Sequence, residues 1–367
     1  MHIETITLYS VGLLGGSFGL GLKATGFEGK IIGLSSPSAV KTAKKIGAID
    51  EGYEYDKLEE VLQHTDMLVI CSPILAIEQC LKNLSTMRCP DGLIVTDVGS
   101  TKREITRLAR QVLPSHVRFI GGHPMAGSEK SGPTAADPYL FQNAIYVITP
   151  RSDEPDEVER EFAAFVDHYL GSRHIFLAPD KHDCIAATVS HVPHLMAVAL
   201  VNVARKTEEC YPGTLSLAAG GFRDLTRIAS SPYRMWHDIL LTNKSAVDEV
   251  LDTCIRELEQ MKQQLKTDSL QQSFDAASQT RSAIPSRNKG FISPLHEVLV
   301  MTKDQPGIIA AIATTMTDQN INIKDIEVLK VREGEGGTIR LGFESAQTAL
   351  TAARLLREQG FSARERI

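Results

Sequence analysis

Six short runs of almost uniformly apolar residues recur over the first 150 positions, at 3–11, 30–34, 66–72, 92–98, 118–120 and 144–148, with helix-compatible sequence between them. Strands this apolar must be covered on both faces, and strands alternating with helices join a sheet through parallel crossovers. The rhythm predicts a doubly wound α/β domain over residues 1–150. The chain of 367 residues has room for two or three domains, which excludes a miniature stapled scaffold. Its 39 basic and 45 acidic side chains leave a net charge of −6, which argues against a nucleic-acid-binding surface. The N-terminus lacks a charged segment followed by an apolar core, so no secretory signal is expected, and no run of 18 consecutive apolar residues suggests a membrane span. The six cysteines form no Cys-x-x-Cys pair, and reduced thiols in a cytoplasm are the expectation.

Beyond Pro150 the pattern turns to helical periodicity, over residues 155–170, 178–210, 214–229, 232–242 and 245 to about 270. A helical domain is expected over residues 151–280. Its segment Val192-Pro193-His194-Leu195-Met196-Ala197-Val198-Ala199-Leu200-Val201-Asn202-Val203 is apolar nearly all round, which points to burial against other helices or a second subunit. Residues 273–294 are rich in Ser, Gln, Asn and Arg and read as a linker, with its firm part at 281–294. Residues 295–367 then follow the order βαββαβ, which suits a ferredoxin-like fold. Its strands are expected at 296–302, 322–332, 336–344 and from 361 onward.

The first apolar run leads into Ser10-Val11-Gly12-Leu13-Leu14-Gly15-Gly16-Ser17-Phe18-Gly19 and then a helical stretch. A glycine-bearing turn here lets the backbone approach a pyrophosphate, whose charge meets the free N–H groups of the next helix. Ser10 stands where the first glycine of the dinucleotide fingerprint usually lies, so the match rests on Gly12 and Gly15. Gly12, Leu13, Leu14 and Gly15 are the candidate phosphate contacts, with Ser72 at the end of the 66–72 run and Ser35 at the ribose position. An NAD site usually has an acidic residue after the second strand, where this chain has Ser35-Ser36-Pro37. No arginine follows directly, although Lys41 and Lys44 lie a turn or two on. NAD is the expected cofactor and NADP stays open.

Four polar segments fall where strands or helices should end: Asp97-Val98-Gly99-Ser100-Thr101-Lys102, Gly121 to Glu129, Ser190-His191-Val192-Pro193-His194, and Gly220 to Ala229. The carboxyl edge of an open parallel sheet is where ligands bind, so Ser100 and His123 can converge beside a nicotinamide. An imidazole with a pKa near ~6.5 can accept a substrate proton at neutral pH, and the same histidine can equally be a loop residue bonded to backbone. Arg223 and Arg227 suit a carboxylate, or a helix-surface salt bridge. His191 and His194 lie three apart, but no Cys or carboxylate at a suitable offset completes a metal site, and none is expected.

Taken together, Gly122-His123-Pro124-Met125-Ala126-Gly127, the Asp97–Ser100 run, Ser190–His194, and Phe222–Ala229 followed by Trp236 resemble the prephenate dehydrogenase family of tyrosine biosynthesis, across nearly the whole chain. The last domain resembles an ACT regulatory domain. The resemblance implies oxidative decarboxylation of prephenate with hydride transfer to NAD. It implies that His123 partners the C4 hydroxyl, that Ser100 orients both, and that Arg227, in preference to Arg223, grips a substrate carboxylate. Ser190 and His194 would face the substrate, while Glu129, Asp224 and Trp236 would line or gate the pocket. In the ACT domain Asp304, Gly307 and Asn322 would meet an amino-acid effector, with L-tyrosine the natural candidate, and a homodimer is expected. Arogenate dehydrogenase and a catalytically silent amino-acid sensor are the alternatives.

Overall fold

The computed structural model describes residues 2–127, 130–284, 295–302, 305–332 and 336–366. The chain divides into two compact units, Met1–Phe274 and Asp275–Ile367. The first is built on an eight-stranded sheet. In chain order its elements are β1 (Thr5–Tyr9), α1 (Leu13–Ala24), β2 (Lys30–Leu34), α2 (Pro37–Lys45), β3 (Glu51–Tyr53), α3 (Leu58–Leu62), β4 (Met67–Ile70), α4 (Ile74–Leu84), β5 (Ile94–Asp97), α5 (Arg103–Val112), β6 (Arg118–Pro124), β7 (Ile145–Thr149), α6 (Glu157–Leu170) and β8 (Arg173–Phe176). The strand order is β3-β2-β1-β4-β5-β6-β7-β8.

Strand periodicity divides the interior into two layers. On fully buried β4, Met67 and Val69 join one core with Phe18, Phe141 and Phe162, while Leu68 and Ile70 join the other with Leu62, Leu81 and Ile105. Strands β1 to β6 are parallel, as the apolar runs require, but β7 pairs antiparallel with β6 and β8 follows β7. The reason is the connection: no long helix joins Pro124 to Ile145 among the described residues, and an antiparallel neighbour needs none.

The sheet also runs past the expected boundary at residue 150. Helix α6 starts at a capping box, in which the Asp156 carboxylate accepts from Glu159 N–H and the Glu159 side chain accepts from Asp156 N–H. It ends at Gly171 with φ 61°. It buries Phe162, Phe165, Val166 and Leu170 in the core that holds Phe18, and so delivers β8 to the sheet edge. The β8 sequence Arg-His-Ile-Phe is half polar because an edge strand is half exposed, which hides it from a search for apolar runs.

The helical part comprises α7 (Pro179–Ala186), a π-helical turn (Ala187–His191), α8 (Val192–Cys210), α9 (Gly220–Thr226), α10 (Tyr233–Thr242), α11 (Lys244–Thr267) and α12 (Gln271–Ala283). Pro193 has no N–H to give the preceding turn, and the helix widens into the π turn just before it. The continuous run Pro179–Cys210 is long and apolar enough, by length and composition, to suit a bilayer. Its buried residues include His182, Asp183, His191 and His194, however, and α7 packs on α5, β7 and α11. Helix α12 occupies positions read as the start of a linker. It buries no residue and rests on the local helix preference of its Gln and Ala content, which gives no amphipathic signal. Residues 285–294 lie outside the described residues.

The second unit contains β9 (His296–Thr302), α13 (Ile308–Thr317), β10 (Asp325–Arg332), β11 (Gly336–Phe343), α14 (Ala346–Glu358) and β12 (Ser362–Arg366). Its antiparallel sheet has the order β10-β11-β9-β12. Val298, Val300, Ile312, Met316, Ile339, Leu341, Phe343 and Leu356 form its own core. Strand β10 begins at Asp325, so Asn322 stands in the approach to the strand rather than within it.

Candidate active site

The turn from β1 to α1 is shaped by backbone demand. Ser10 has φ 76°, the left-handed conformation that usually selects glycine, so the serine keeps the shape the first fingerprint position requires. A Cβ on Gly15 would stand 2.2 Å from the Ser10 carbonyl oxygen, so only glycine fits there, while a Cβ on Gly12 would meet nothing. Gly12 caps α1 without a side-chain hydrogen bond, which leaves the first N–H groups of a twelve-residue helix without a side-chain cap, as an anionic phosphate needs. These residues fit a dinucleotide.

Ser10 Oγ lies 2.5 Å from Ser72 Oγ and 2.9 Å from the Tyr55 hydroxyl, which in turn lies 3.3 Å from Ser35 Oγ. Ser35 and Ser72 are thus gathered at one corner through Ser10 and Tyr55, the latter opening a short 3₁₀ turn (Tyr55–Lys57) that no sequence pattern marks. Beyond the end of β2 a cavity of about 550 Å³ is lined by Val40, Lys41, Lys44, Glu54, Asp56 and Lys57, among others. Both charge signs therefore border the ribose side.

The reactive groups stand at the carboxyl ends of β5 and β6. Buried Asp97 ends β5; its carboxylate accepts the N–H of Gly99 at 2.8 Å and of Gly122 at 3.2 Å, and it pairs with the buried Lys102 ammonium. This ties the Ser100 loop to the strand that carries His123. His123 Nδ1 lies 2.8 Å from His182 Nε2, and His182 Nδ1 lies 2.8 Å from Asp183 Oδ1. The Asp183 carboxylate also accepts the N–H of Lys102 at 2.7 Å and of Arg103 at 3.0 Å, at the start of α5. Asn243 donates to the Asp183 carbonyl at 2.8 Å and to His191 Nδ1 at 3.1 Å. His194 stacks on Trp236, with centroids 3.8 Å apart and planes 13° apart, and His191 meets the same indole edge-on. His191 and His194 thus share the Trp236 indole as a neighbour.

Burial dominates the electrostatics. It pushes the His123 imidazole well below its ordinary 6.5, helped by His182, Lys102 and His191. Burial likewise brings His191 down to about 4, against an opposing pull from Asp183, and lowers His194. His123 is therefore neutral at pH 7, and its Nε2 makes no hydrogen bond among the described residues. His194 Nδ1 and Trp236 Nε1 are buried and make no hydrogen bond among the described residues.

Ser100 is half-buried and makes no hydrogen bond among the described residues, while His123 Nδ1 meets His182. Ser190 lies half-buried in the π turn, a distortion frequent at functional sites. Asp224 on α9 and Arg227 in the turn after it are exposed and show no ion pair among the described residues, but that turn packs on α8, the helix of His194. Glu129 and Asp304 lie outside the described residues. In the second unit Gly307, with φ 87°, caps α13. Sequence reasoning missed His182, Asp183 and Asn243. The available signal was a His-Asp pair set in an apolar helical run, where a buried polar pair must have partners.

Residues 18–169 match the family described as prephenate dehydrogenase, nucleotide-binding domain. Residues 178–276 match its dimerization domain, and residues 296–354 an ACT domain. The chain is 35% identical to a prephenate dehydrogenase of Bacillus subtilis, over 93% of this chain and 92% of that protein. It is 34% identical to one of Lactococcus lactis, over 96% and 98%. Among solved structures it is similar to Aquifex aeolicus prephenate dehydrogenase in complex with hydroxyphenyl propionate and NAD+, with TM-score 0.67 and 30% identity, covering 77% of this chain and 98% of that one. A doubly wound sheet with an open glycine turn, a neutral histidine at its carboxyl edge and likeness along nearly the whole length lead to one conclusion: this chain belongs to the prephenate dehydrogenase family of oxidoreductases.

Proposed function

We propose that this chain oxidatively decarboxylates prephenate to 4-hydroxyphenylpyruvate with NAD, as a cytoplasmic homodimer under feedback control by L-tyrosine. The observation that carries the reading is His123: buried, neutral at pH 7, its Nε2 unengaged, on the sheet edge that also carries the open α1 turn. NAD, when bound, would supply the acceptor for the hydride of ring C4. Gly12, Leu13, Leu14 and Gly15 bind its pyrophosphate through backbone N–H groups, while Ser35 and Ser72 meet the ribose side. His123 Nε2 takes the proton of the C4 hydroxyl as hydride leaves, which a neutral imidazole can do at no cost of prior deprotonation. Ser100, with its hydroxyl unspent, holds the same substrate oxygen. Arg227 grips a carboxylate in the two-pronged geometry lysine lacks. His194 Nδ1 and Trp236 Nε1 offer further polar contacts, with Ser190, Asp224 and Glu129 around them. Loss of the ring carboxylate as carbon dioxide makes the ring aromatic and drives the reaction forward.

The exposed apolar side chains Leu200, Val201 and Val203 on α8 support pairing with a second copy. Gly307, Asn322 and Asp304 are the proposed contacts for tyrosine. The test is formation of reduced nicotinamide from prephenate or arogenate, each with NAD or NADP, with and without tyrosine. Turnover of prephenate with NAD, suppressed by tyrosine, is expected. Activity confined to arogenate or NADP would overturn the specificity, and no activity with either substrate would overturn the function.

A further inference from the structure

We infer that Asp183 and His182 are positioning residues that hold His123 in the tautomer with its proton on Nδ1, so that the lone pair needed for catalysis lies on Nε2. The inference rests on the proposed role of His123. It follows from counting donors and acceptors. The Asp183 carboxylate receives two backbone N–H groups, from Lys102 and Arg103, and is therefore an ionised acceptor with no proton of its own. The third atom against it, His182 Nδ1 at 2.8 Å, must be the donor. A neutral His182 with its proton on Nδ1 has a lone pair on Nε2. Facing that lone pair at 2.8 Å is His123 Nδ1, which must donate in turn. Each hydrogen bond fixes the next, and the chain ends with an unprotonated Nε2 on His123.

The tautomer matters because the free imidazole side chain prefers the opposite one, with hydrogen on Nε2, which could donate to the substrate hydroxyl but not take its proton. The buried setting prevents water from scrambling the choice: His182 is 2% exposed and Asp183 0%. During reaction the O–H bond of the C4 hydroxyl breaks, its electron pair stays on oxygen, and the proton bonds to His123 Nε2. The positive charge so formed is shared through Nδ1–H with His182 and faces the Asp183 carboxylate. Lys102, held by Asp97, and His191 oppose it, so the proton is easily returned to the product oxygen. Asp183 also anchors the start of α5 through its two backbone contacts, so the group that sets the tautomer fixes the Ser100–Lys102 loop as well.

The test is nitrogen-15 NMR of the full chain labelled at histidine, near pH 7.5, with the His123→Asn and His182→Gln variants assigning the signals. Two neutral imidazoles bearing hydrogen on Nδ1, at His123 and His182, are expected. Hydrogen on Nε2 of His123, or a doubly protonated His182, in the wild-type spectrum overturns the inference. Kinetics give the second readout. Gln at position 182 still offers an acceptor to His123 Nδ1–H, so His182→Gln should retain far more turnover than His182→Leu, which should lower kcat by about 10²–10⁴-fold with KM for NAD little changed. Equal losses in the two variants would contradict tautomer control. A wild-type protein that turns over prephenate but shows Nε2–H at His123 defeats this inference alone, whereas full activity in His123→Asn defeats the function beneath it.

Discussion

Gly15 and His191 show how single positions constrain this site. At Gly15 the missing Cβ is a steric necessity, because the Ser10 carbonyl oxygen stands 2.2 Å from where it would be and is backbone that cannot swing aside. Gly15→Ala should cost about 1–3 kcal/mol of stability through overpacking and weaken NAD binding at least as much, read by denaturant midpoint and calorimetric titration. Unchanged NAD affinity would remove the turn from the cofactor site. His191 sets an acid limit. Its folded pKa is about 4 against 6.5 when unfolded, so the unfolded chain binds the extra proton first. The stability this contributes is fully present above pH 6.5 and is lost as pH falls toward 4, by about 3 kcal/mol for this group. His123 shifts in the same direction and adds to the slope. Urea midpoints between pH 7 and pH 4.5 should fall steeply in the wild type and less in His191→Gln; parallel curves would assign the acid sensitivity elsewhere.

Elements bring these residues together, and α8 with α10 is the clearest case, because the His194–Trp236 stack lies where they meet. Trp236 is the one tryptophan of the chain. Its fluorescence should therefore change on titration with prephenate or 4-hydroxyphenylpyruvate and respond much less to NAD alone. His194→Ala should raise substrate KM by roughly fivefold, the scale of one lost stacking contact of about 1 kcal/mol. An indole signal that follows NAD and ignores substrate would put this stack in the wrong pocket. The sequence made many elements legible for physical reasons. Strands buried on both faces, such as β4, are uniformly apolar, and the Gly-His-Pro segment stood out because it breaks such a strand with chemistry. Half-exposed β8 and unburied α12 carried no such signature. The His123–His182 bond escaped because it joins positions 59 apart, from a strand and a helix whose packing no local pattern encodes.

At the scale of the whole molecule, the proposed catalysis and the proposed regulation are drawn from separate cores. The sheet and the helical region as far as Phe274 form one unit, with every described residue of the proposed chemistry inside it, and the ACT-like unit has its own sheet and its own apolar interior. Feedback through such an arrangement requires tyrosine to favour one state of the catalytic unit over another, a coupling typically worth about 1–3 kcal/mol or 5- to 150-fold in affinity. A chain ended after residue 284 should fold, turn over prephenate with NAD, and lose the whole of its tyrosine response. Gly307→Ala in the full chain should blunt the same response while sparing turnover, since a Cβ strains the left-handed backbone at the cap of α13. Initial rates across a tyrosine series on the three proteins decide the matter. If the shortened chain is inhibited as strongly as the full one, tyrosine acts by competing at the prephenate pocket, where its phenol ring mimics the aromatic product, and the ACT unit serves another purpose.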